Sequence, residues 1–429
     1  MANELNRVIA PEFKTVEEVH LQEAAEFQLD NGVTVYELDA GTQDVVKMEF
    51  IYPAGSAHAD SPVLASAVND MLDEGTPTRQ AEALAEELDF YGAFIESEVT
   101  PDLASFTLYT LNKHIAPTLE IVSDVLHNAS FPDAEFEVYR SNRKQRFIVD
   151  SGKVNVLARR RFGQLLFGDE HPYGKAAKIQ DYDNLSTDQL KSYFNSHYAA
   201  HGLKILVAGK IEPELRRLLN AQFGQTPAND VEKDRFSRDI HTTTERIHTV
   251  EKADAIQSAI RIGRPLFNRE HEHFPGMQVL NTVLGGYFGS RLMANIREDK
   301  GYTYGIGSGL ASMNEHGYFF ISTEVGVDVT SQAIAEVYKE IKRLRDELVP
   351  AEELELVKNY MIGTFLRSTD GPFALADRKK ALIGYDLDYS YYDRYFQTIK
   401  SITPAELRDL ANLYWQEEDL IELVAGKRN

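Results

Sequence analysis

The pentapeptide LVAGK occurs twice in this chain, at residues 206–210 and 423–427, an offset of 217 (423 − 206). Two further pairs of similar segments share this offset to within one residue: LSTDQLKSYFNSHY with ITPAELRDLANLYW, and FPDAEFEVYR with VPAEELELVK. A fixed period shared by three separate segments is the signature of an internal repeat. The sequence therefore predicts a tandem duplication of a unit about half as long as the chain.

The segments that precede each LVAGK copy carry the same helix signals. Ser186 is followed three positions later by Gln189, and Thr403 by Glu406. In both pairs a hydroxyl and an amide or carboxylate can satisfy the free amides of a first helical turn. Apolar residues at four-residue spacing then predict one buried stripe in each helix. The stripes comprise Leu190, Phe194 and Tyr198 in the first copy, and Leu407, Ala411 and Trp415 in the second.

Each half combines alternating strand patterns with helical periodicity. In the first half, strands are predicted in GVTVYELDAG and VVKMEFIYPAG, helices in SPVLASAVNDMLDEG and TRQAEALAEELDFYG, and one further strand in SEVTPDLASFTLYTL. In the second half, strands are predicted in QSAIRIGRPL, YTYGIGSGLASM and GYFFISTEVG, and helices in EHFPGMQVLNTVLGG and SRLMANIREDKG. The sequence therefore predicts an α+β fold of two homologous units, residues 1–225 and 247–429, joined by a polar linker at 226–246.

Composition excludes several classes of site. The chain has no cysteine, which excludes disulfides, thiolate metal sites and a cysteine nucleophile. Its 45 basic and 67 acidic residues give a net charge of −22, which disfavours nucleic acid as a partner. The first twenty residues contain neither a secretory signal nor a continuous apolar segment, so we expect a cytoplasmic chain without a membrane span.

The chain resembles, along nearly its whole length, the pitrilysin and insulinase superfamily of zinc peptidases, particularly the short members related to mitochondrial processing peptidase. The resembling residues are LDNGVTVYEL, the Gly55-Ser56 turn, Gly75-Thr76 after a helix, HPYG, and LGGYFGSRLMANIREDKGYTYGIGSG, which is the most specific. The resemblance implies a LuxS/MPP-like metallohydrolase fold, in which two helix-covered, largely antiparallel sheet units form a clamp around a peptide.

Catalysts of this superfamily carry HxxEH on a helix just before the Gly-Thr pair, and a further glutamate ligand on a later helix. At the corresponding positions this chain has Ser66, Asn69 and Asp70. A neutral hydroxyl is a poor zinc ligand, and an amide cannot act as the general base that the glutamate provides. The later helix, YRSNRKQRF at 139–147, contains no acidic residue. We therefore expect no zinc and no other cofactor in this chain.

Two histidine pairs are candidates for a relocated metal site. His197 and His201 have the i, i+4 spacing of helix-borne ligands, and His271 and His273 lie in the segment REHEHF. Short motif fragments of this kind are common by chance, so we expect ordinary histidines at a helix end and in a solvated loop before a helix. The chain also lacks a GxSxG nucleophile motif and a phosphate-binding glycine loop.

The resemblance implies one surviving element of an active site, an Arg and a Tyr seven residues apart that bind the substrate peptide opposite the zinc. They correspond to Arg297 and Tyr304. We expect Arg297 to close a helix, Gly301 to break it, and Tyr304 to share a strand face with Tyr302. The spacing alone also fits a structural role, in which the arginine complements a helix dipole and the tyrosine packs on a sheet.

A degenerate zinc half and an intact Arg/Tyr half suggest an inactive, substrate-binding subunit of a heteromeric zinc metallopeptidase. Its partner would be a homologous, HxxEH-bearing subunit that holds the zinc, and its ligand would be a peptide. Two alternatives remain open: a purely structural subunit or peptide-binding homodimer, and a peptidase active through a relocated metal site. If the chain is the substrate-binding subunit, we expect that it is not a peptidase by itself.

Overall fold

Residues 16, 19–198, 202–225 and 239–428 are described by a computed structural model of the chain. Most of the predicted linker, together with His201, lies outside the described residues. The predicted boundaries of the two halves at residues 225 and 247 stay a prediction.

The first half combines six strands with helices. In chain order its elements are β1 Ala25–Gln28, β2 Thr34–Asp39, β3 Val45–Tyr52, α1 Leu64–Asp70, α2 Ala81–Tyr91, β4 Phe94–Val99, β5 Ala104–Leu111, α3 Ile115–Asn128, α4 Asp133–Ser151, α5 Val154–Phe167, α6 Ile179–Asp183, α7 Thr187–His197, β6 Lys204–Gly209 and α8 Leu215–Phe223.

The second half repeats this succession with five strands. Its elements are β7 Ile247–Glu251, β8 Gln257–Leu266, α9 Phe274–Gly285, a π-helical segment Met293–Asp299, β9 Thr303–Ser312, β10 Gly317–Gly326, α10 Thr330–Asp346, α11 Ala351–Arg367, α12 Pro372–Ile383, α13 Ser390–Ser401, α14 Pro404–Tyr414 and β11 Ile421–Gly426.

The two sheets have the same topology. The first has the order β1-β2-β6-β3-β5-β4, and the second β7-β11-β8-β10-β9. Without β1 the two orders correspond strand for strand. In each sheet one pair is parallel, β2 with β6 and β7 with β11, and the remaining pairs are antiparallel. The predicted duplication of a largely antiparallel, helix-covered unit is confirmed.

The repeated LVAG lies in β6 and β11, which are interior strands with buried side chains on both faces. In β6, Val207 packs in the core of the first half, whereas Leu206 and Ala208 belong to a cluster on the other sheet face. The second copy repeats this alternation with Val424, Leu423 and Ala425. The repeat therefore reflects two equivalent strands buried on both sides.

The glycine of each copy is required by its backbone and its neighbour. Gly209 has φ +134° and Gly426 has φ +137°. A Cβ atom at Gly209 would lie 2.3 Å from the Val45 carbonyl oxygen, and one at Gly426 would lie 2.7 Å from the Ser258 hydroxyl. Any larger residue would displace the start of the adjacent strand.

The two halves exchange a helix. Helix α5 of the first half packs Ala158 and Phe162 onto the second sheet, in a cluster with Leu423. Helix α12 of the second half packs Ala376 and Ile383 onto the first sheet. We call the sheet face covered by the exchanged helix the outer face. The sequence analysis did not predict this exchange.

Local predictions were confirmed at the helix caps and failed at one turn. Both capping boxes form, at Ser186 and Thr403, and the two predicted stripes are buried. The single strand predicted in SEVTPDLASFTLYTL is wrong. Its residues belong to β4 and β5, because Thr100 and Leu103 close a turn with a backbone hydrogen bond of 2.8 Å.

No helix within the described ranges is both long enough and apolar enough to span a bilayer.

Candidate functional site

The position of the general base in superfamily catalysts is occupied here by a core amide. Asn69 on α1 has no solvent-exposed surface. Its Nδ2 donates to the carbonyl oxygens of Glu98 at 3.2 Å and Ser105 at 3.3 Å, and its Oδ1 accepts from the Tyr198 hydroxyl at 3.0 Å. The side chain therefore joins α1 to β4, β5 and α7, and its hydrogen-bonding groups are engaged.

Asp70, which follows Asn69, faces helix α4. The Tyr139 hydroxyl donates to Asp70 Oδ2 at 2.9 Å, and Arg143 Nη2 donates to the same oxygen. Burial and the Asp70 carboxylate raise the pKa of Tyr139, so this hydroxyl stays a donor. Because Tyr139 and Arg143 are four residues apart, they lie on one helix face. We call these three residues the Asp70 cluster.

The residues present at this position do not fit zinc. The Asp70 cluster links α1 to α4 through a guanidinium, in the region where a third metal ligand would be expected from the resemblance. Asn69 is committed to its three hydrogen bonds, and Ser66 supplies a neutral hydroxyl. Across the described parts of the chain, no group of three or more His, Asp or Glu side chains is placed to hold a metal ion.

The Gly75-Thr76 pair after α1 holds the following loop. Gly75 has φ +145°, which favours glycine. Thr76 Oγ1 donates to Asp124 Oδ2 at 2.8 Å, and Arg79 Nη1 lies 2.6 Å from the same oxygen. These contacts tie the loop to α3, so the retained motif has a structural role in this chain.

Arg297 and Tyr304 lie close together at the surface of the second half. Arg297 belongs to the π-helical segment, which ends before Gly301 at φ +66°. Tyr304 is the second residue of β9 and is 93% exposed. The Arg297 guanidinium carbon lies 5.5 Å from the centre of the Tyr304 ring. Tyr302 packs against the core instead, so it does not share the exposed surface of Tyr304.

Phe288 is a third member of this surface, and the sequence analysis missed it. Its ring is 63% exposed and lies 4.7 Å from the Arg297 guanidinium carbon. The guanidinium therefore contacts two exposed aromatic rings. No carboxylate in the described residues lies within ion-pair distance of Arg297. The sequence signal that could have identified Phe288 is a phenylalanine in the glycine-rich segment GGYFGS, where a loop and an exposed ring can be expected.

His197, His271 and His273 make ordinary contacts. His197 ends α7, stacks on Tyr193 with ring centres 4.1 Å apart, and bonds the Tyr193 carbonyl oxygen through Nδ1 at 3.1 Å. His271 stacks on Phe267, and His273 Nδ1 lies 2.7 Å from the Tyr414 hydroxyl. The second pair precedes α9 as expected, but it is half-buried by aromatic rings rather than fully solvated.

Fold and site together define a peptidase-like protein of two α+β units whose zinc position is degenerate. A family model described as "Peptidase M16 inactive domain" matches residues 184–361. The chain is 22% identical to "Uncharacterized zinc protease YmxG" of Bacillus subtilis, over 94% of this chain and 98% of that protein. It is 23% identical to "Non-peptidase homolog YmxG" of Helicobacter pylori, over 70% of each.

Solved structures share the fold over nearly the whole chain. The peptidase M16 inactive domain from Pseudomonas fluorescens superposes with a TM-score of 0.84 at 21% identity, covering 95% of this chain and 98% of that one. A protease from Helicobacter pylori superposes with a TM-score of 0.86 at 16% identity, covering 95% and 100%. The chain therefore shares the fold of these M16 structures, and the resemblance inferred from its sequence is confirmed.

Proposed function

We propose that this chain is the substrate-binding subunit of a heteromeric zinc metallopeptidase and supplies Arg297 and Tyr304 to the active site of an HxxEH-bearing partner. One contrast carries the proposal. At the degenerate zinc position Asn69 and Asp70 are engaged within the chain, whereas Arg297 and Tyr304 lie together at the surface. Arg297 has no carboxylate partner among the residues that the structure describes.

The two side chains suit a peptide that is under attack. A guanidinium and a phenol are both hydrogen-bond donors, and they can bind a carbonyl oxygen more strongly as negative charge develops on it. The partner's metal would supply the activated water. Arg297 and Tyr304 would orient the peptide and stabilise the developing oxyanion, while the inactive half completes the chamber.

The test is a peptidase assay of this chain assembled with an HxxEH-bearing homologue. Arg297→Ala or Tyr304→Phe should leave assembly intact and reduce activity by about 100- to 1000-fold if the lost group is an oxyanion donor. The loss should appear mainly in kcat if the contact strengthens in the transition state, and in KM if it only holds the peptide. Arg367→Ala and Tyr360→Phe are matched controls at exposed positions of α11 and should keep full activity.

The alternative reading is a structural subunit or a peptide-binding homodimer. Under it, Tyr304→Phe is nearly silent, and Arg297→Ala costs at most about 1 kcal/mol of stability through lost helix-end complementation. Full activity of both variants in correctly assembled heterodimer would refute the role in trans and favour this alternative. The identity of the partner, the peptide ligand and a cytoplasmic location all remain predictions.

A further inference from the structure

The outer faces of the two sheets carry different charges at equivalent positions. Glu49 on β3 is paired in register with Leu206, the leucine of the first LVAG copy. Arg261 on β8 is paired with Leu423, the leucine of the second copy. An acid in the first sheet therefore corresponds to a base in the second, which provides an internal comparison between the two halves.

On the outer face of the first sheet, charged side chains of β3 form ion pairs with charged side chains of α12. Lys380 Nζ of α12 lies 2.6 Å from Glu49 Oε1, and Lys47 Nζ of β3 lies 2.7 Å from Asp377 Oδ1 of α12. Lys47 and Glu49 are both buried. Each buried charge is thus paired with an opposite charge from the exchanged helix, as the burial of ionic groups requires.

The outer face of the second sheet lacks this compensation. The residues of α5 that stand 218 positions before Asp377 and Lys380 are Arg159 and Phe162. The acid of the exchanged helix is therefore replaced by an arginine, and the lysine by a phenylalanine. Within the described ranges, no carboxylate lies at ion-pair distance from Arg159 or Arg261.

The surroundings of Arg261 leave its charge uncompensated. Its guanidinium carbon lies 5.5 Å from the centre of the Phe320 ring, and its strand partner on β10 is Ser322. Glu324, the acid on the same strand, accepts a hydrogen bond from Asn155 of α5 at 3.1 Å and pairs with neither arginine. Burial lowers the pKa of Arg261; the nearby Tyr318 opposes this shift, and the positive charge of Arg159 adds to it.

We propose that Arg159 and Arg261 form a binding site for the carboxylates of an acidic peptide segment on the outer face of the second sheet. Two guanidiniums that form no ion pair with a described acid complement a carboxylate. The rings of Phe320 and Tyr318 are partly buried against the same cluster and form its border beside Arg261. The site lies on the opposite sheet face from the core that packs under β9 and is independent of the proposed role of Arg297.

Calorimetric titration of the full chain with an acetylated, amidated Gly-Glu-Gly-Glu-Gly peptide tests the site. The same peptide with glutamine in place of glutamate is the reference. We expect the acidic peptide to bind at least about tenfold more tightly, and Arg159→Gln or Arg261→Gln to weaken it by about tenfold each. Arg367→Gln is the matched control, because Arg367 is an exposed arginine of α11 and its loss should change nothing.

Three results would overturn the site: equal binding of the two peptides, no binding of the acidic peptide, or an equal loss in Arg367→Gln. Binding of inorganic phosphate without binding of the acidic peptide would also reject a peptide ligand. Higher salt should weaken the acidic peptide more than its glutamine counterpart. If Arg261→Gln fails to fold, Arg159→Gln decides the question, because Arg159 is exposed and its replacement leaves the cluster intact.

Discussion

Asn69 holds the position of a general base while serving as a buried cross-link between α1, two strands and α7. The Asn69 amide donates hydrogen bonds to two carbonyl oxygens. Because these oxygens can only accept, they would repel a carboxylate at position 69. The local environment therefore requires a hydrogen-bond donor at this position.

We expect Asn69→Glu to be more destabilising than Asn69→Ala. The alanine variant leaves the Tyr198 hydroxyl and two carbonyl oxygens without this partner and should lower the free energy of unfolding by about 2 to 3 kcal/mol. The glutamate adds a buried acid facing two acceptors. Urea unfolding monitored by circular dichroism gives the free energy of unfolding of both variants. Asn359→Ala, at an exposed position, is the control. A glutamate variant as stable as the native chain would contradict this account.

Asp124 gives the loop after α1 a pH-dependent anchor. Burial alone would raise its pKa, but hydrogen bonds from Asn128, Thr76, Thr78 and Arg79 outweigh burial and lower the pKa below its ordinary value. A carboxyl group whose folded pKa is depressed stabilises the protein above its unfolded pKa of about 4. That contribution is lost as the pH falls through the folded pKa.

Asp124→Asn should therefore cost stability at pH 7 and less at pH 3. At pH 7 the variant loses charge-assisted bonds to Arg79 and two threonines, which we expect to cost about 1 to 3 kcal/mol. At pH 3 the aspartate of the unfolded chain is largely protonated, which removes much of the linked stabilisation, so the difference should shrink. Urea unfolding at both pH values checks the sign, and Asp370→Asn serves as an exposed control. A difference that grows on acidification would reject the proposed anchor.

At the scale of elements, the exchange of α5 and α12 determines how the halves depend on each other. Each helix supplies apolar side chains to the sheet of the other half, with Phe162 in one cluster and Ile383 in the other. A sheet deprived of its exchanged helix would expose the leucine and alanine of its LVAG strand. The two halves are therefore expected to unfold as one cooperative unit.

Phe162→Ala and Ile383→Ala should each destabilise the whole chain. We expect losses of about 3 to 5 and 2 to 5 kcal/mol, because both side chains are buried and their removal leaves cavities. Trp415 is the single tryptophan and is buried in the core of the second half, so its fluorescence reports that half. In both variants, the unfolding midpoint measured by Trp415 fluorescence should coincide with the midpoint measured by circular dichroism. Exposed Leu413→Ala should be nearly neutral, and separated midpoints would show independent halves.

At the scale of the whole molecule, duplication has produced halves that share a topology and differ in chemistry. The first half shares the fold of M16 units, and its Asn69 and Asp70 form internal hydrogen bonds. The second half presents Arg297 with exposed aromatic rings. This division is what a chain that works with a catalytic partner would need.

We predict that the isolated chain neither retains zinc nor cleaves peptides. After incubation with equimolar zinc and dialysis, elemental analysis should find far less than one zinc per chain, because Asn69 and Asp70 are engaged and Ser66 is a poor ligand. A peptide assay without a partner should show no chelator-sensitive cleavage. An HxxEH-bearing homologue treated in parallel is the positive control. Stoichiometric zinc with chelator-sensitive proteolysis would revive a relocated metal site.

The sequence by itself determined the duplication, the capped helices and most strands, because these follow from repeats, local periodicity and short-range hydrogen bonds. It also led to two predictions that stay predictions: no zinc at Ser66, Asn69 and Asp70, and peptide binding by Arg297 and Tyr304. The turn between β4 and β5 was a local feature too, and it was missed because Pro101 and Asp102 interrupt an otherwise continuous strand pattern.

Only the tertiary structure decided which surfaces meet. The apolar stripe of α5 has the same sequence pattern whether it covers its own sheet or that of the other half. Asp70 meets Arg143 across 73 positions, and Phe288 reaches Arg297 through the fold of a surface loop. Arg159 and Arg261 lie in different halves, and the helix exchange places α5 on the sheet that contains Arg261. Such contacts depend on the packing of distant segments, which local periodicity does not encode.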